Sequence, residues 1–229
     1  MTLFLPGLKI HFTMSELSGQ QILTIAIVYA TSILPLLVLI VLYAMGKLPR
    51  WVAAVYLFSF LVCAVGLEIW FTFGLWGGAP VSERRPPVMN LAIPQYANWA
   101  LNSLADAAAI CLVGLLLVWL VYGRRAEPFR KWRWGAFMVL LLWFVLQNLC
   151  VELFIYHAQL AMGYKLSWAP LTPAGPWWNP ILFSVFGRTV QLQTQMPWVL
   201  MAPIFYFIVL ACYRRLSRDV PAAEGKSRL

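Results

Sequence analysis

The residues with the clearest capacity for chemistry lie in the stretch A-N-W-A-L-N-S-L-A-D-A at positions 97–107, where Asn98, Asn102 and Asp106 recur every four residues. On a helix that spacing puts all three on one face. The stretch opens a long apolar run, so the acid and both amides are expected inside hydrocarbon, where an unpaired polar group costs several kcal/mol. Asn148 and Glu152, again four apart, lie in another apolar run, and Glu68 lies in a third. A buried acid keeps its proton, and a second carboxyl nearby separates the two titrations. A protonated acid facing an ionised one is the arrangement that moves a proton onto and off a substrate. Glu68, Asp106 and Glu152 are therefore the candidate catalytic residues, with Asn98, Asn102 and Asn148 expected to orient them.

The elements that must position these groups are membrane spans. Of 229 residues, 62% are hydrophobic and 11% charged, against roughly a quarter charged in soluble domains. The expected fold is all-α, a polytopic transmembrane helical bundle with five spans near residues 21–45, 51–75, 97–122, 135–160 and 197–213. Residues 1–20 are expected to form an outer leader without signal-peptide character, with Met14 as an alternative start. Residues 161–196 form the longest connection, an outer lid loop, and 214–229 a polar tail. Within the loop, Asn179 followed by Pro180 has the form of an N-cap and first helical residue, which predicts a short helix over Ile181–Leu192.

Twelve of the 17 Lys and Arg residues follow the first, third and fifth runs. That asymmetry predicts the N-terminus outside and the C-terminus in the cytoplasm of a multi-pass protein, in the inner membrane if the source is bacterial. It also accounts for the net charge of +9, so no nucleic-acid partner is expected. Counting inward along a helix at ~1.5 Å per residue places Glu68, Asp106 and Glu152 at roughly 11, 14 and 12 Å below the outer ends of their spans. Three acids on three helices thus share one level, and the inner halves of the spans carry none.

Around this level sit residues expected to bind substrate. Trp99 adjoins Asn98 and Trp70 follows Glu68 by two; ring faces could stabilise positive charge, although seven of the twelve Trp fall on the outer side, where an interfacial belt is the ordinary role. His157 could shuttle protons near the surface. Arg188, with Arg84 and Arg85, could grip an anionic headgroup at the mouth of the site, or simply snorkel. Cys63, Cys111, Cys150 and Cys212 each fall within an apolar run and are expected to be buried apolar residues.

Other chemistries lack their residues. His11 and His157 are too few for haem or a His-rich metal site, so neither metal nor cofactor is expected. No lysine lies within a span to form a Schiff base, and there is no G-x-S-x-G or Gly-rich phosphate loop. The general plan resembles that of small integral-membrane isomerases and cyclases, such as the emopamil-binding sterol isomerases and membrane terpene cyclases. Those place acids in an aromatic-lined cavity and protonate an alkene. The resemblance is one of design, since their signature residues do not align onto Glu68, Asp106 or Glu152. The expected activity is acid/base isomerisation, cyclisation or hydration of a lipid- or isoprenoid-like substrate entering from the outer leaflet. The alternative is a non-enzymatic lipid-binding protein, assembly subunit or small transporter, in which the acids are interhelical glue or a proton or ligand path.

Overall fold

A computed structural model describes residues 3–5, 8–10, 17–156, 168, 178–185 and 187–217. Five helices are long and apolar enough to cross a membrane: Gly19–Ala44, Arg50–Phe73, Gln95–Val121, Trp134–Ile155 and Leu192–Leu216, with mean hydropathies of 1.9 to 2.7. Their exposed side chains include Leu23, Leu34, Val65, Leu142 and Phe207, an apolar exterior of the kind a bilayer solvates. Short antiparallel strands pair Leu3–Leu5 with Leu8–Ile10 ahead of the first span.

The first span begins at a capping box written in S-G-Q-Q: the Gln21 amide donates to the Ser18 hydroxyl at 3.2 Å, and the Ser18 amide to the Gln21 side chain at 2.9 Å. Only Thr24, Val28 and Ser32 of this helix are buried. That narrow stripe, one residue in every four, lies on a helix that packs along the third span. The second, third, fourth and fifth spans share the main core, in which the fifth packs against both the second and the fourth. The third and fourth approach closely at Gly114, where a Cβ would come within 3.0 Å of Leu140 and 3.1 Å of Phe144.

The second span stops at Gly74, whose φ of 64° is left-handed. A side chain there would collide with the backbone of Gly78, Ala79 and Pro80, so only glycine allows the chain to fold back at this point. Two short helices, Val81–Arg84 and Pro87–Ala92, then lead into the third span. At the opposite end of the bundle, the Tyr206 hydroxyl donates to Pro128 O at 2.7 Å and accepts from the Arg133 amide at 3.1 Å, tying the basic connection to the fifth span.

Two expectations are corrected. Ile181–Leu192 is not a helix: Ile181–Val185 pairs antiparallel with Arg188–Gln191. The segment I-L-F-S-V is rich in β-formers, and Gly187 at φ 73° sits in the turn. Asn179 does act as a cap, but for the fifth span and not for the chain that follows it: its Oδ1 accepts the Gln193 amide proton at 2.9 Å. The fifth span correspondingly begins at Leu192, earlier than 197, because Gln193, Thr194 and Gln195 are buried with partners inside the protein.

Candidate functional site

Each of the three acids lies in a stretch of π-helix. The second span widens over Ala64–Glu68, the third over Asp106–Leu112, and the fourth over Val151–Tyr156. π segments rearrange the hydrogen-bond ladder and occur often at functional sites. Inside hydrocarbon a backbone carbonyl without a partner is costly. Carbonyls of all three segments accept side-chain donors from elsewhere: Trp99 Nε1 donates to Ala64 O at 2.8 Å, Trp168 Nε1 to Gly66 O at 2.8 Å, Trp143 Nε1 to Ile110 O at 2.9 Å, and Arg188 to Leu153 O. Nothing in composition separates these indoles from an interfacial belt. Their signal is positional, each lying across from a segment that its acid marks.

Glu68 and Asp106 line one cavity of about 470 Å³ bounded by the first, third and fourth spans. Asn102 lines it too, close to the Glu68 carboxyl. The remaining polar lining is sparse, chiefly Thr31 and Gln147, and these also bond to backbone, Thr31 to Ile27 O at 2.8 Å and Gln147 to Phe144 O at 2.9 Å. The rest of the wall is apolar, including Ile27, Ile110, Trp143 and Leu146. Leu146 and Cys150 at its rim are exposed, which corrects the expectation that all four cysteines are buried. The cavity therefore reaches the lipid-facing exterior of the bundle. Asp106 is 92% buried, and its Oδ2 has no hydrogen-bond partner among the described residues.

Glu68 is held differently. The Thr72 hydroxyl donates to its Oε2 at 3.4 Å, Asn98 Nδ2 donates to the Thr72 hydroxyl at 3.1 Å, and Arg85 donates to Asn98 Oδ1 at 3.1 Å. Arg85 also donates to Ile93 O at 2.8 Å. Burial, with the charge of Arg84 beside it, lowers the pKa of Arg85 to about 10, so it stays cationic at neutral pH. Arg84 donates to Ala79 O at 3.0 Å and to Phe71 O, the latter at the end of the second span. Both arginines are buried, so neither is the headgroup contact considered from sequence. A cation among helix C-terminal carbonyls is favourably placed.

Glu152 stands apart from that cavity. Its carboxyl accepts from Gln191 N at 3.1 Å, Thr194 Oγ1 at 2.7 Å and Gln195 Nε2 at 2.6 Å, all at the start of the fifth span. Asn148 donates to Thr194 O at 2.9 Å. The fourth span thus caps the fifth, and Glu152 and Asn148 meet on Thr194 and not on the other acids.

Of the remaining candidates, Trp70 packs edge-on against Trp76 with centroids 5.3 Å apart, and Trp99 faces Ala64. Arg188 lies over the Phe154 ring at 5.6 Å. None of these lines the cavity. His157 lies outside the described residues. Among the described residues no group of three His, Cys, Asp or Glu could hold a metal ion. No family model, curated protein or solved structure matches this chain.

Proposed function

We propose that the protein is an integral-membrane enzyme that moves a proton within a lipophilic substrate, using Glu68 and Asp106 as its acid/base pair. The observation that carries this reading is the pair itself: two carboxyls on different spans, facing one apolar cavity that opens to the lipid side of the bundle. The apolar wall selects an isoprenoid- or lipid-like molecule, and the exposed rim at Leu146 and Cys150 lets it arrive from the membrane. The distribution of basic residues supports entry from the outer leaflet.

The chemistry that fits is a double-bond shift. One carboxyl O–H breaks and its proton forms a C–H bond using the alkene π pair. The adjacent carbon of the resulting cation then loses a proton to the other carboxylate, and that C–H pair becomes the new π bond. Passing the proton back between the two carboxyls resets the site, so no co-reactant is consumed. Trp143 presents an aromatic ring in the wall, the kind of surface that stabilises a transient cation.

The experiment is lipid extraction from cells with and without the protein, analysed by mass spectrometry and chromatography for isomeric lipids. Loss of a species in the deletion strain, restored by the wild type but not by Asp106→Asn or Glu68→Gln, is the expected result. Equal restoration by both variants would overturn the enzyme reading. Glu152, which accepts from three donors at the start of the fifth span and does not line the cavity, fits interhelical packing better than proton transfer.

A further inference from the structure

We infer that Arg85, acting through Asn98 and Thr72, is a positioning residue that holds Glu68 as the proton-accepting carboxylate and leaves Asp106 as the proton donor. The role names rest on the acid/base reading above; the two protonation states do not.

The polarity of the chain follows from chemistry at its far end. A guanidinium has donors and no acceptor, so the atom of Asn98 that faces Arg85 must be Oδ1. That orientation turns the Asn98 amide NH₂ toward Thr72, whose oxygen accepts at 3.1 Å. With its oxygen accepting, Thr72 has its own proton to give, and the neighbour at 3.4 Å is Glu68 Oε2. Three successive bonds therefore donate in one direction, from the second buried arginine of the R-R pair to the acid in the cavity. An acceptor-only carboxylate fits the end of such a chain. Asn102 stands beside the same carboxyl in the cavity wall.

Asp106 receives none of this. Its Oδ2 is buried without a partner among the described residues, and the ionisable groups near it there, Glu68 and the Cys63 and Cys111 thiols, include no cation. An ionised Asp106 would be an uncompensated charge beside another carboxylate, which is the costly arrangement; a neutral acid is the inexpensive one. Acid and base are thus told apart by who donates to each. Cys63, a buried thiol close to Cys111 and both acids, adds no positive charge to either.

The test is infrared spectroscopy of the purified full-length protein in lipid vesicles, reading the carboxylic-acid C=O band. The expected result is a band that Asp106→Asn abolishes and Glu68→Gln leaves in place. Thr72→Val, which keeps shape and removes the hydroxyl, should about double that band as Glu68 takes up a proton; Thr72→Ser should retain the wild-type spectrum. A band lost in Glu68→Gln and kept in Asp106→Asn, absence of any such band in the wild type, or an unchanged spectrum in Thr72→Val would each overturn the inference. If Thr72→Val does not fold, Asn98→Leu, which cuts the same relay one bond earlier, should show the same gain in the band, and an unchanged band there would overturn the inference. A correct band assignment with no lipid substrate found would count against the enzyme reading and leave this inference standing.

Discussion

Trp143 Nε1 donates to Ile110 O at 2.9 Å, joining the fourth span to the π segment of the third at the wall of the cavity. Ile110 O also accepts the Val113 amide proton within its own helix, so the indole adds a second, interhelical bond to that carbonyl.

Trp143→Phe removes that donor while keeping an aromatic ring in place. The expected cost is about 0.5–1.5 kcal/mol, the net worth of one hydrogen bond, because Ile110 O keeps its bond from the Val113 amide. Thermal unfolding in detergent checks it. A melting temperature equal to the wild type would mean that Ile110 O gains nothing from the indole.

Glu152→Gln separates the cap of the fifth span from the proposed acid/base pair. The amide still offers an oxygen to Thr194 and Gln195, but its NH₂ then faces the Gln191 N–H, donor against donor. Stability should fall by about 1–3 kcal/mol, while the lipid product made by folded protein stays within twofold of the wild type. A hundredfold loss of product in protein of normal stability would return Glu152 to the catalytic set.

Cys150 is exposed at the cavity rim, whereas Cys63, Cys111 and Cys212 are buried. A lipid-soluble maleimide added to membranes should label Cys150 first and leave Cys150→Ser unlabelled over the same interval. Substrate in the cavity should slow the labelling. Mass spectrometry of the modified peptides reads the site; modification at Cys63 or Cys111 ahead of Cys150 would mean the cavity opens elsewhere.

Orientation rests on charge. Reporter fusions after Arg130 and after Gly187 should report opposite compartments, Arg130 cytoplasmic and Gly187 outside. The same compartment from both would break the alternation of spans. Opposite compartments in the reverse sense would move substrate entry to the inner leaflet.

What the sequence determined by itself was everything set by the cost of leaving water. Long apolar runs read as spans because hydropathy is a local sum, and the span count survives in the structure. A common depth for Glu68, Asp106 and Glu152 was an expectation from axial rise alone, which depends only on residue number. Rotation about each axis was not legible. At one depth an acid can face any neighbour, and the expense of lipid exposure removes only one direction. Packing turned Glu68 and Asp106 into a shared cavity and sent Glu152 to the first turn of the fifth span, 42 residues further along the chain. The partners of the π segments were hidden for a related reason: Trp99, Trp143, Trp168 and Arg188, which donate to their carbonyls, are brought there only by tertiary contacts. Arg84 and Arg85 looked like surface cations because charge normally seeks water. Only the fold placed backbone carbonyls and Asn98 where they could replace it.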